Sequence, residues 1–284
     1  AILFRLNHSN PRYSEEQRDI VFTVCDQMSA YQPAMAIQSN LKEILLQYLK
    51  KDRSNGDLAD FCRRLIDHSL SCVKTVGELG AGRVKDGDRI MVHSVSSSLL
   101  SAVDQILDGK KDVEFLLCVN YPGRMSLRTA EYIIEKGGRV TVASDASMLE
   151  LVRQADIVFS GADAITAAGD CVNEVGTGML AELSKSQGKP YYVLSEIAKL
   201  DLRTLDDYSP DLSKGEDTSA IRGFPYENSP LFSFYNYRYE KIDRRNITAI
   251  ITEYGAIAPQ KAVETYQRYY KTIAGERWEL SLQL

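Results

Sequence analysis

The stretch Ala155–Leu180 reads A-D-I-V-F-S-G-A-D-A-I-T-A-A-G-D-C-V-N-E-V-G-T-G-M-L, and its reading decides the fold. Ile157-Val158-Phe159, bounded by Asp156 and Ser160, is a short apolar run of the kind that forms a buried parallel strand. Gly161-Ala162-Asp163 then sets a carboxylate just past the strand's C-terminal end. In open α/β sheets that edge is where ligands bind. Ala168-Gly169-Asp170 is a second turn. Asn173-Glu174-Val175-Gly176-Thr177-Gly178 is expected to open a helix that runs to about Gln187, with Thr177 as its N-cap. Amides at a helix N-terminus attract anions, and the glycines let them come close. A carboxylate at a strand tip and an amide-lined helix mouth suit a phosphorylated, hydroxylated small molecule. The plainer alternative is an ordinary β-turn-α connection with polar turn residues.

Outward from this stretch the pattern is strand and helix in alternation. On the N-terminal side, Arg89–His93, Val113–Val119 and Arg139–Ala143 read as strands, and Leu99–Leu107, Leu127–Lys136 and Met148–Gln154 as helices. On the C-terminal side, Tyr191–Leu194 and Ile247–Thr252 are strands and Gln260–Ile273 is a final helix. The implied fold class is α/β, a doubly wound, Rossmann-like parallel sheet. Before it, residues 14–80 carry apolar residues at helical spacing, with breaks at Tyr31-Gln32-Pro33 and at the polar run Lys50–Asp57. The expected organisation is an N-terminal helical domain over 1–86 and a Rossmann-like domain over 87–284. Residues 200–245 are loop-rich and aromatic.

Composition narrows the function. A net charge of -5 argues against an extensive nucleic-acid surface. No apolar run approaches the roughly 18 residues of a membrane helix, and Ala1–Phe4 is too short for a signal peptide. The expected compartment is the cytoplasm. The five scattered cysteines, Cys25, Cys62, Cys72, Cys118 and Cys171, form no C-x-x-C pair, so neither metal nor disulfide is expected. No cofactor is implied. His93-Ser94-Val95-Ser96-Ser97-Ser98 follows a strand and opens a helix, a second mouth able to hold phosphate oxygens on hydroxyls and amides. N-capping by serine explains the same residues.

G-A-D-A-I followed by G-D-C-V-N-E-V-G-T resembles the G-A-D-x-I … G-x-x-x-N-K-I-G-T signature of one superfamily. It contains methylthioribose-1-phosphate isomerase, archaeal ribose-1,5-bisphosphate isomerase, and the alpha, beta and delta subunits of translation initiation factor 2B. The resemblance runs from about Tyr31 to Pro259. D-R-I-M-V-H-S-V-S-S-S-L-L, Y-Y-V-L-S-E and I-T-E-Y-G-A-I-A-P look like strands of the alpha-type subunit. It implies an N-terminal helical domain, a Rossmann-like domain, and dimerisation through the latter.

The isomerases of this superfamily use a cysteine after the His strand and the aspartate of G-A-D as an acid/base pair on a ring-opened sugar phosphate. Here Asp163 holds the aspartate position and Ser94 the cysteine position. A serine hydroxyl is a far weaker acid than a thiol of pKa about 8.5. The signature lysine is Glu174, and the isomerase R-G-A loop is replaced by Tyr31-Gln32-Pro33-Ala34. The family's Glu-Thr-Arg-Pro is Val119-Asn120-Tyr121-Pro122. A like-charge contact at about 5 Å costs on the order of 3 kcal/mol at an effective dielectric near 20, so Glu174 opposes an anion unless it turns outward. These departures set the leading expectation: a regulatory, non-catalytic, homodimeric or larger assembly that binds a partner protein and a sugar phosphate. The expected ligand-binding residues are His93, Ser96, Ser97, Ser98, Asp163, Asn173, Gly176 and Thr177, with the phosphate on the Ser96–Ser98 amides. The alternative is an aldose-1-phosphate to ketose-phosphate isomerase with altered catalytic residues, Asp163 and Ser94. A small-molecule sensor is the third reading.

Overall fold

The protein is seen here in a computed structural model that describes residues 1–9, 14–31, 34–50, 55–109, 112–206, 208–209, 212, 214–215 and 222–274. The sequence-based turn at Gln32-Pro33 and the charged residues Lys51–Arg53 lie outside them. Helices come first: α1 (Ile2–Ser9), α2 (Ser14–Tyr31), α3 (Ala36–Tyr48) and α4 (Asn55–Ala81). The alternating region follows as β1 (Arg89–His93), α5 (Ser97–Asp108), β2 (Glu114–Cys118), α6 (Met125–Glu135), β3 (Arg139–Ala143), α7 (Met148–Gln154) and β4 (Ile157–Ser160). Then come β5 (Ala164–Thr166), β6 (Cys171–Glu174), α8 (Thr177–Ser186), β7 (Tyr191–Leu194), β8 (Leu200–Asp201) and β9 (Lys214–Gly215). The chain continues through β10 (Asn236–Tyr237), β11 (Tyr239–Ile242), β12 (Ala249–Thr252), β13 (Gly255–Ile257) and α9 (Ala262–Ala274).

The main sheet has the order β13-β12-β7-β4-β1-β2-β3. Its strands pair in parallel except for the edge strand β13, which runs antiparallel to β12. Side chains alternate across a strand, and in the strands inside the sheet both faces are buried. Met91, Leu116, Val158, Val193 and Ile250 point into one hydrophobic cluster, which the N-terminal helices share through Val21, Leu45 and Leu58. Ile90, Val92, Phe115, Leu117, Phe159 and Ile251 point into the other, under α5 and α6. Each fully buried side chain of this size contributes about 1.5–3 kcal/mol, so the two-sided burial explains the continuous apolar strands. Helix α4 crosses α5 closely at Gly77, where any side chain would strike Ser101.

The fold differs from the sequence reading in one region that matters for the site. Residues 173–174 do not open a helix; they end β6. A second, four-stranded sheet of order β11-β6-β5-β8 stands beside the main one. Its β11 comes from the aromatic segment that reads as loop, and pairs antiparallel with β6 so that Tyr239 faces Glu174 and Glu240 faces Asn173. Among the described residues, no helix is long and apolar enough to cross a membrane, and no group of three or more His, Cys, Asp or Glu could hold a metal ion.

Candidate functional site

The site begins where β1 ends. Ser94 has φ 64°, the left-handed region, which costs a non-glycine residue about 1–2 kcal/mol. Two buried hydroxyls of α6 hold it there. The Ser94 N–H donates to Ser126 Oγ at 2.8 Å, and Thr129 Oγ1 donates to the Ser94 carbonyl at 2.7 Å. This conformation sends the Ser94 hydroxyl to Glu174, whose Oε2 accepts it at 2.8 Å. The glutamate does not turn outward. It sits beside Gly123, where an added Cβ would come within 2.6 Å of Glu174 Oε1.

Two serines of the first mouth are partly committed. Ser96 caps α5, its Oγ accepting the Leu99 N–H at 3.2 Å. Gly161 passes so close that a Cβ there would lie 2.5 Å from Ser96 Oγ. Ser98 is buried and donates to Glu196 Oε2 at 2.6 Å. Ser97 is exposed. The first-turn amides of Ser97 and Ser98 have no acceptor within a helix that starts there, so the mouth still offers donors to an anion.

Thr177 is not the cap of α8. Gly176 is, with φ 96°. Thr177 Oγ1 instead donates to the Glu174 carbonyl at 2.6 Å and accepts Asn173 Nδ2 at 3.0 Å. Asn173 and Thr177 therefore brace the turn that carries Glu174. Gly176 lies against the buried His93 ring, at 2.8 Å from Cε1 for an added Cβ. His93 Nε2 is 3.1 Å from the Val175 carbonyl and 3.2 Å from Asn120 Nδ2. Burial pushes the imidazole below its ordinary pKa. The α8 mouth itself is filled: Glu240 Oε1 accepts the Gly178 N–H at 2.6 Å, and the amides of Gly176 and Met179 also bond this carboxylate. The expectation of an open anion site at Gly176–Gly178 is corrected by this cap.

Asp163 stands between β4 and β5, its N–H donating to the Val172 carbonyl at 2.8 Å. Burial pushes its carboxyl above the usual range, against the pull of Lys199 and Arg238. Glu174 is also raised, by burial first; the Ser94 hydrogen bond lowers it, Asp163 raises it, and Arg238 and Arg128 lower it. Asp163 thus bears on Glu174, and Arg238 lowers both carboxyls. Arg128, Lys199 and Arg238 were missed by sequence reasoning, because none sits in a motif. Lys199 is buried, donates to the Ala162 carbonyl at 2.9 Å and pairs with Glu196 at 3.8 Å. Cys118 and Cys171 are buried, free thiols. Burial pushes Cys118 up to about 12 and Cys171 higher still, so neither serves as an acid here.

Ser94 follows β1 and Asp163 follows β4, at the C-terminal edge of a doubly wound, Rossmann-like sheet, the edge where open α/β sheets bind ligands. Residues 17–259 match the Initiation factor 2 subunit family, and the chain belongs to it. A ribose 1,5-bisphosphate isomerase of Methanocaldococcus jannaschii is 28% identical over 246 residues, 84% of this chain and 77% of that protein. One from Haloferax volcanii is 27% identical over 247 residues, 82% of this chain and 74% of that protein. The translation initiation factor eIF-2B of Pyrococcus horikoshii OT3 superposes with a TM-score of 0.77 at 25% identity, over 90% of this chain and 88% of that one. These findings overturn the expectation of a regulatory, non-catalytic chain. Ser94 and Glu174, read separately from the sequence, are in hydrogen-bond contact.

Proposed function

We propose that the chain is a sugar-phosphate isomerase that converts an aldose phosphate to a ketose phosphate in the cleft between Ser94, Asp163 and Glu174. The observation that supports this reading is the Glu174 carboxyl on the Ser94 hydroxyl at 2.8 Å, with Asp163 and Arg238 near enough to bear on its charge. Isomerisation needs a base for a carbon-bound proton and an acid for a sugar oxygen, and carboxyls raised by burial work at both tasks near neutrality. In this reading Asp163 is the base, the phosphate lies on the Ser97 and Ser98 amides of α5, and the arginines balance its charge. The kinship with ribose 1,5-bisphosphate isomerases makes a pentose carrying a C1 phosphate the first substrate to try. A homodimer or larger assembly belongs to the same reading, and light scattering distinguishes it from a monomer.

The test is turnover of ribose 1,5-bisphosphate and methylthioribose-1-phosphate followed by NMR. Conversion by the wild type, reduced about 100-fold or more in Asp163→Asn, supports the proposal. A wild type that converts neither sugar overturns it.

A further inference from the structure

Ser94 and Glu174 meet although they lie 80 residues apart in the chain. Ser94 keeps a left-handed backbone, φ 64°, at which its hydroxyl meets Glu174 Oε2 at 2.8 Å. The second carboxylate oxygen, Oε1, has the Gly123 backbone beside it, close enough that any side chain would displace it. Glu174 itself is set by the strand that pairs it with Tyr239 and by Thr177, which bonds its carbonyl. The pair is built from three separate elements: the β1–α5 connection, the turn before α6, and the end of β6.

We infer that Glu174 supplies the proton of the reaction through the Ser94 hydroxyl, so that serine and glutamate together replace a single acidic group. This rests on the isomerase reading above. With sugar bound, the Ser94 hydroxyl turns its proton from Glu174 to the sugar ring oxygen, and the protonated Glu174 carboxyl gives its hydrogen to Ser94 Oγ as Ser94 passes its own to that oxygen. The bond from C1 to that oxygen breaks, and its electron pair stays on the oxygen. Asp163 removes the proton from C2, and the C2–H pair becomes the C1=C2 bond of an enol. Asp163 then returns the proton to C1 while the C2 hydroxyl proton goes back through Ser94 to Glu174, leaving the ketone. Both carboxyls end in their starting states and no other reactant is consumed. Serine alone is too weak an acid for the first step. The groups facing Glu174 agree with the role: burial and Asp163 favour its protonated form, while Arg128, Arg238 and the Ser94 hydrogen bond keep it able to ionise.

The experiment compares wild type, Glu174→Gln and the double variant Ser94→Cys/Glu174→Gln, with ribose 1,5-bisphosphate as probe. The reaction needs a protonated Glu174, so the wild-type rate falls on the alkaline side as that proton is lost. Glu174→Gln should lower kcat about 100-fold, change KM by less than about threefold and remove that alkaline limb. A thiol at position 94 carries its own proton, with an ordinary pKa of about 8.5. The double variant should therefore recover at least about tenfold over Glu174→Gln, which a merely structural role for Glu174 would not produce. A Glu174→Gln enzyme within about threefold of wild type, with its alkaline limb intact, overturns the inference. A second arm needs no substrate: carboxyl-carbon NMR, with Glu174→Gln used to assign the signal. Glu174 should titrate above the ordinary glutamate value of about 4.3, and higher still in Ser94→Ala. Titration at or below that value overturns the inference whether or not turnover is seen. Absence of wild-type turnover with a raised Glu174 instead counts against the isomerase reading and leaves the dyad supported.

Discussion

Replacing Glu240 with alanine should uncap α8 and create the anion site that the wild type lacks. Glu240 reaches α8 from β11, where it stands opposite Asn173. Its Oε1 takes the Gly178 N–H at 2.6 Å, and Gly176 and Met179 also bond the carboxylate. A hydrogen bond to a charged group contributes about 1.5–3 kcal/mol, and a carboxylate at a helix N-terminus adds about 0.3–1 kcal/mol. Burial offsets part of this, since it pushes Glu240 above the usual carboxylate range. The net loss should be about 1–2 kcal/mol, a fall in Tm of roughly 2–4 °C for a chain of this size. Thermal melts with and without inorganic phosphate test the second half of the argument. Phosphate at about ten times its dissociation constant for the freed mouth should return about 1.4 kcal/mol in Glu240→Ala, beyond any gain in the wild type. An equal phosphate gain in the two proteins, or an unchanged Tm, would refute the view that Glu240 occupies that mouth.

Gly176→Ala should destabilise by about 2–4 kcal/mol in urea titration, combining left-handed strain with overpacking. The backbone there has φ 96°, and the new Cβ would fall 2.8 Å from His93 Cε1 in a fully buried ring; a loss under about 0.5 kcal/mol would contradict it. Lys199→Met should show a pH-dependent cost. In the wild type burial pushes Glu196 up, but Lys199 and the Ser98 hydrogen bond outweigh it and leave Glu196 lowered. That stability is present above the unfolded pKa and lost as pH falls through the folded one. Without the cation, burial raises Glu196 and raises Asp163 further, so stability then declines as pH rises past about 4.3. The gap between variant and wild type should therefore be about 3–5 kcal/mol at pH 7 and visibly smaller at pH 4; a gap that stays constant across this range counts against the pairing.

The parallel sheet is legible because strands buried on both faces are unbroken apolar runs, as in residues 157–159 and 115–118. Asp163 is legible for a related reason, since it follows such a run at once. The second sheet is not. Its β5 is three residues long and its β6 reads Cys-Val-Asn-Glu, whose polar end looks like a helix mouth. What makes β6 a strand is β11, which lies in an aromatic segment without strand periodicity. Glu240 was invisible with it, and so was the capping of α8. Arg128, Arg238 and Lys199 face the carboxyls only through tertiary contacts, and charge counting along the chain carries no information about that.

The same limit explains why the departures at Ser94 and Glu174 read as decay. Taken one at a time, a serine is a poor acid and a glutamate repels phosphate. Each statement is correct for an isolated residue. In the fold the two side chains are 2.8 Å apart, and that distance is maintained against a cost. Ser94 holds a left-handed backbone that relaxation to an extended one would relieve. Two buried hydroxyls, Ser126 and Thr129, are spent on keeping it there. The position beside Glu174 Oε1 is a glycine, and a side chain there would shift the carboxylate tip. The strain is accounted for if the hydroxyl and the carboxyl have to meet, and a proton passed between them is a reason for that meeting.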